Sequence, residues 1–261
     1  MINMKAIIED GAIIGEGTII EPFAYVSKDA KIGKNCIIKQ GARIVGDTTI
    51  GDNSTIYSYA IVGDIPQDIS YKKEQKTGLI IGKNATIREF CTINSGTSKG
   101  DGYTRIGDNA FIMAYCHIAH DCILRDNVIL ANNATLAGHV EIGDFSVVGG
   151  LTPIHQFVKV GSYCMIAGAS ALSQDVPDFC LVEGNRAYVR GLNIVGLRRH
   201  KSKEVIDELH KAYIAIFRSG KDIKEMARQY LESANSDELK KMCNFILSTT
   251  RGIPVKRKYD E

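Results

Sequence analysis

Ile106-Gly107-Asp108-Asn109-Ala110-Phe111-Ile112-Met113-Ala114-Tyr115-Cys116-His117-Ile118-Ala119-His120-Asp121-Cys122-Ile123-Leu124 is the stretch that decides how this chain folds. An aliphatic side chain returns at every sixth position: Ile106, Ile112, Ile118, Leu124. Towards the C-terminus the same step runs on through Leu130, Leu136, Ile142, Val148, Ile154, Val160, Ile166 and Leu172. Towards the N-terminus Ile81, Ile87 and Ile93 keep it, as do Ile2, Ile8, Ile14, Ile20, Val26, Ile32, Ile38, Ile44, Ile50, Ile56 and Val62. An α-helix turns every 3.6 residues and cannot hold a period of six on one face. Short strands joined by tight corners can, with three hexads to a coil and the coils wound into a solenoid.

The other hexad positions agree. With the aliphatic residue as position one, Gly often follows at position two (Gly15, Gly33, Gly51, Gly82, Gly107, Gly143), and Asn recurs at position four (Asn35, Asn53, Asn84, Asn109, Asn127, Asn133). Both residue types tolerate left-handed backbone angles, so each hexad is expected to carry its own corner. Position five is small, as in Ser54, Ala85 and Ala134, which suits an inward side chain near a crowded axis. Cys36, Cys91, Cys116, Cys122 and Cys164 share that slot, and no CxxC pair occurs, so they read as buried, reduced thiols. The pattern resembles the hexapeptide left-handed parallel β-helix. The hand is implied by that resemblance, since it runs against the usual right-handed crossover.

The resulting expectation is a mainly β protein: a left-handed β-helix over 1–190, then a small helical domain over 191–261. Two breaks in the register, near 63–80 and 94–105, are expected to loop out, and loops on a rigid scaffold are where chemistry usually sits. In the tail, Ser202 can cap a helix that Gly220 ends; a second covers Asp222 to Glu232, and a third starts at Ser236. Residues 191–261 hold 15 Lys+Arg against 10 Asp+Glu, a net of +5, whereas the rest of the chain is net negative. At 44% hydrophobic and 24% charged, with an overall charge of +2, the chain is neither disordered nor nucleic-acid binding. No stretch is apolar enough to span a membrane and no secretory signal is visible, so a cytoplasmic location is expected.

His117, His120, His139 and His155 all fall in the repeat, outside the inward slots one and five. If three hexads make a coil, His120 lies below Gly138 and Gln156 in one column. Asp121, His139 and Phe157 share the next column, and Ala119, Ala137 and His155 the one on the other side. With coils about 4.8 Å apart, the four histidines share one outward patch. A zinc site needs several of them to converge on one point. A general base needs one, with a carboxylate fixing its tautomer.

Three runs now become specific: His117-Ile118-Ala119-His120-Asp121-Cys122, then Leu130 to Val140, then His155-Gln156-Phe157. Together with Gln174-Asp175-Val176-Pro177, Gly184-Asn185 and Ser248-Thr249-Thr250-Arg251-Gly252 they resemble the UDP-N-acetylglucosamine O-acyltransferase family over nearly the whole chain. The resemblance implies transfer of a 3-hydroxyacyl group from acyl carrier protein to the 3-position of the UDP-sugar, the first step of lipid A synthesis. It implies His120 as general base, Asp68 as the carboxylate orienting it, and the Gly138 N–H as oxyanion donor. Gln67, His117, His139, His155, Gln156, Asn193 and Arg199 are implied as substrate contacts. Gly168 is implied as the position limiting acyl length, and a glycine there favours a long chain. No cofactor or metal is implied; the acyl carrier protein thioester is the co-substrate. Homotrimers with sites between subunits are implied as well, and the basic tail suits docking of the acidic carrier protein.

Three positions depart from the family's habit: Ser70 replaces a Lys, Asn94 a His and Val195 a Glu. The loss of a cation and an anion raises the alternative of a 3-amino sugar acceptor, which would give an amide. A γ-class carbonic anhydrase is a more distant alternative; it calls for an His-x4-His pair, whereas His117 and His120 are spaced His-x2-His.

Overall fold

The computed structural model describes residues 1–72 and 74–255. Lys73 of the first expected loop and positions 256–261 of the expected tail lie outside the described residues. Residues 2–182 wind as a left-handed parallel β-helix of triangular section. Most strands are only two residues long, for example His117–Ile118, Ile123–Leu124 and Ile129–Leu130. Successive strands step around three faces. Face one holds eight strands from Ile7–Ile8 to Pro153–Ile154, face two eight from Ile13–Ile14 to Lys159–Val160, and face three ten, beginning at Ile19–Ile20. His117 pairs with Thr135, and Thr135 with Pro153, so three hexads close a coil, as expected.

Position one fills the core: Ile44, Ile56, Ile87, Ile112, Ile118 and Leu136 are all wholly buried. Each such side chain contributes roughly 1.5–3 kcal/mol of burial. The first coil lacks a layer beneath it, and Ile2 is correspondingly 50% exposed. Position five is inward and small as expected: Ser54, Ala85 and Ala134 have no more than 1% exposure. All seven cysteines are buried and free. Burial pushes the Cys122 thiol up to about 12, so it stays protonated and unreactive.

The corners differ from the sequence expectation in one respect. Position four is indeed left-handed, but it is so whatever residue stands there: Tyr59, Phe90, Asp121, His139 and Phe157 have φ of 62°, 58°, 60°, 61° and 63°. The position-two glycines are not left-handed at all. They are required by close approach between coils, because a Cβ on Gly51 would lie 2.6 Å from the carbonyl carbon of Gly82. The corner is therefore imposed by the wound coil, and side chains stacked coil on coil offset its cost. Asn53, Asn84 and Asn109 pass hydrogen bonds up one corner, and Tyr59, Phe90 and Tyr115 stack at another.

Both register breaks loop out and rejoin. Val62 pairs with Ile93, and Ile93 with Ile118, and each of these steps is longer than the three hexads of an ordinary coil. The strands run to Asp64 and restart at Gly78, then run to Asn94 and restart at Tyr103, so the loops are 65–77 and 95–102.

The parallel stack ends in an antiparallel hairpin, Cys180–Glu183 with Tyr188–Leu192. A short helix, Ile194–Leu197, follows, which the sequence pattern did not announce. Helices Lys203–Phe217, Ile223–Glu232 and Asp237–Ser248 come next, with Ser202, Asp222 and Ser236 as their N-caps. Asp175 ties them to the last coil: it accepts from the Lys159 N–H and from the Thr249 hydroxyl.

Candidate active site

The expected columns form. At the corner between faces one and two, the His139 N–H donates to the His120 carbonyl and the Phe157 N–H to the Gly138 carbonyl, both at 3.0 Å. His139 stacks on Phe157 with centroids 4.4 Å apart and meets the His120 ring edge-on at 5.2 Å. Gly138 sits against the His120 imidazole. A Cβ there would lie 2.5 Å from its Cε1 and 2.7 Å from its Nε2, so only glycine leaves that ring in place.

The carboxylate that orients His120 is Asp121, not Asp68. His120 Nδ1 lies 2.8 Å from Asp121 Oδ2. The left-handed backbone of Asp121 lets its side chain reach the ring preceding it. The second loop fixes it there: Thr97 donates its N–H to Oδ1 at 2.8 Å and its hydroxyl to Oδ2 at 2.7 Å. Burial opposes ionisation of Asp121, but the bonds from His120 and Thr97 outweigh it and hold the carboxyl below its ordinary range. An ionised Asp121 accepts, so His120 Nδ1 is the donor. In the neutral ring Nε2 then carries the lone pair, beside Gly138.

The Gly138 amide lies at the third position of its hexad, beside His120. At the corner between faces two and three the third-position N–H is taken by an acid one coil away, as Asp108 N–H by Asp126 and Asp126 N–H by Asp144. The coil beyond Gly138 offers Gln156 at that position, and among the described residues nothing accepts from the Gly138 N–H.

Asp68 lies nearby but faces Lys99. Its Oδ2 is 2.9 Å from Lys99 Nζ, and its Oδ1 accepts from the N–H and hydroxyl of Ser70. The Lys99 contact, then those from Ser70, hold its carboxyl well below the usual range. Position 70 carries a serine as read, and Lys99 Nζ also donates to its hydroxyl. Gln67 is exposed beside Asp68.

His117 contacts Thr92 across the coils, Nδ1 to Oγ1 at 2.8 Å. Burial first, then the charge of His120, lowers its pKa. Burial also lowers that of His139, against the pull of Asp121, whose Oδ2 is 3.5 Å from its Nε2. At His155, Arg251 Nη2 lies 3.2 Å from Nδ1. The Gln156 carbonyl lies 3.2 Å from the same nitrogen, so Nδ1 faces both a donor and an acceptor. Gln156 is exposed next to it.

Three expected contacts lie elsewhere on this chain. Asn193 is the N-cap of the short helix and donates to the Tyr163 carbonyl at 2.9 Å, at the corner between faces two and three. Arg199 follows that helix and is exposed, as is Val195 within it. Gly168 lies against Gly150 at the third corner. Asn94 is buried at the root of the first loop, donates to the Ile65 carbonyl at 2.9 Å, and leaves Oδ1 without a partner among the described residues. Sequence reasoning missed Thr97 and Lys99, which sit in a loop with no repeat to index them. It also missed the role of Asp121, for which the His-Asp dipeptide was the available signal.

The facing atoms of His120, Asp121 and His139 lie within 4.8 Å of one another, a spacing a metal could use. In this arrangement, though, the atoms bond to each other: His120 to Asp121, and Asp121 to Thr97. That is the geometry of a base and its orienting carboxylate.

Comparisons with known proteins point to one family. The family profile described as "Udp N-acetylglucosamine O-acyltransferase; Domain 2" matches residues 175–254, and that of bacterial transferase hexapeptide repeats matches 29–64 and 103–138. The chain is 67% identical over 259 residues to the acyl-[acyl-carrier-protein]--UDP-N-acetylglucosamine O-acyltransferase of Campylobacter concisus (strain 13826), covering 99% of each. It is 70% identical over 256 residues to that of Campylobacter jejuni (strain RM1221), covering 98% of this chain and 97% of that one. Among solved structures, a UDP-N-acetylglucosamine acyltransferase from Campylobacter jejuni is similar with TM-score 0.95 at 69% identity, covering 98% of this chain and 100% of that one. One from Bacteroides fragilis 9343 is similar with TM-score 0.93 at 36% identity, covering 97% and 99%.

Proposed function

The chain belongs to the UDP-N-acetylglucosamine O-acyltransferase family, and from that premise we propose how its site performs the transfer. A 3-hydroxyacyl group passes from acyl carrier protein to the 3-position of UDP-N-acetylglucosamine, opening lipid A synthesis. His120 Nε2 takes the proton of the sugar 3-hydroxyl as that oxygen attacks the thioester carbonyl. The Gly138 N–H donates to the oxyanion that forms, an interaction worth about 3 kcal/mol in the transition state. Collapse expels the carrier's thiolate, which the His120 imidazolium reprotonates. Asp121 keeps Nδ1 protonated throughout and steadies the imidazolium. The single observation that carries this reading is the lone-pair nitrogen of His120 lying against Gly138.

Gln67, Asp68, His117, His139, His155 and Gln156 line the same side and contact the substrates. Asn193, Arg199 and Gly168 serve the nucleotide and the acyl chain from a neighbouring copy in a homotrimer. What supports this is their position: one chain carries them on its two other corners. The stacked outward rings of Tyr59, Phe90 and Tyr115, 46–57% exposed, are apolar surface for such packing. No cofactor takes part. Acyl carrier protein docks on the basic helical tail, and the enzyme works in the cytoplasm; no described helix is long and apolar enough to cross a membrane.

Incubating the chain with 3-hydroxyacyl carrier protein and UDP-N-acetylglucosamine, with products read by mass spectrometry, should give the 3-O-acyl sugar nucleotide. The 3-amino sugar run alongside separates ester from amide. Failure to acylate either sugar would overturn the proposal.

A further inference from the structure

We propose that Lys99 is the acceptor-binding cation of this site. The inference deepens the acyl-transfer reading and rests on it. Lys99 stands in the second loop, the one that also holds Asp121 through Thr97. That loop is closely fitted to the dyad, since a Cβ on Gly100 would lie 2.4 Å from Asp121 Oδ1. Its ammonium crosses to the first loop, onto Asp68 Oδ2 at 2.9 Å and the Ser70 hydroxyl. Both charges of this pair are felt at His139, whose ring abuts His120. The cation therefore stands at the edge of the base's own patch.

An ammonium has three donors, and two are used here. The Lys99 side chain is 58% exposed while that of Asp68 is only 18% exposed, so the pair presents its positive end to solvent. A surface ion pair of this kind contributes little to stability. Its third N–H, held in place by Asp68 and Ser70, is suited to an oxygen of the acceptor sugar as its neighbouring hydroxyl meets His120. Because Lys99 Nζ rests on the Ser70 side chain itself, a lysine at position 70 would bring an ammonium to the same ground.

The test is steady-state kinetics of the full chain with both substrates varied. Lys99→Gln should raise the KM for the UDP-sugar about tenfold, leaving kcat within about threefold and the KM for acyl carrier protein unchanged. Adding Ser70→Lys to Lys99→Gln should recover most of the acceptor affinity. An acceptor KM within twofold of native in Lys99→Gln would overturn the inference, as would a loss confined to kcat, which a loop tether alone would give. A native chain that transfers nothing would instead sink the underlying reading, so the two failures are distinguishable.

Discussion

At the scale of single residues the decisive pair is His120 with Asp121. If Asp121 fixes the tautomer, Asp121→Asn should lower kcat by about 100- to 10,000-fold with little change in either KM. Asp68→Asn should act mainly on the acceptor KM; steady-state kinetics of the two variants check the assignment. Two neighbouring histidines carry a second prediction. Burial depresses the pKa values of His117 and His139 below the ordinary 6.5. Just below that value the unfolded chain binds protons that the folded chain does not, so stability falls as pH drops through 6.5. Calorimetry at pH 7.5 and 5.5 should show a lower Tm at the acid end, and His117→Gln should reduce the difference. His120 and Gly138 were legible beforehand because they stand in the repeat, where a step of three hexads gives a neighbour. Asp121 was legible only as a column member. That it turns back onto His120 goes with its left-handed corner, a conformation aspartate tolerates but which does not by itself say which ring the carboxylate meets.

At the scale of elements, hexads and loops divide the labour. A hexad carries its aliphatic residue inward and its corner outward, so the strands, the three faces and the capped helices of the tail could all be read from spacing and caps. The loops could be placed but not described, because Thr97, Lys99 and Asp68 meet through long-range contacts, Thr97 with Asp121 and Lys99 with Asp68, that no period encodes. The β-helix does not need them. The pairing of Ile93 with Ile118 takes four hexads and one further residue where three hexads close a coil, so the second loop is an insertion. Excising it to restore the three-hexad step should leave a chain with native β-sheet circular dichroism and cooperative unfolding, while acyl transfer falls at least about 100-fold through loss of the support under Asp121. Loss of the fold itself would show that the loop does more than hold the dyad.

At the scale of the whole molecule, the three corners carry three different sets of groups. The base and its carboxylate occupy one, Asn193 and Arg199 flank a second, and Gly168 lies at the third. Such a layout makes sense when copies pack side by side, each site drawing on two chains. It predicts complementation: His120→Ala and Arg199→Ala chains, each nearly inactive alone, should regain about a quarter of native activity when unfolded together and refolded as mixed oligomers. No recovery would place both residues in a site built from one chain.

The most direct measurement is the acyl-transfer rate of His120→Ala beside the native chain, with both shown to be folded by their melting curves. The account predicts a fall of at least about 100-fold at saturating substrates with an unchanged Tm. A folded His120→Ala chain that transfers acyl groups within tenfold of the native rate would contradict it.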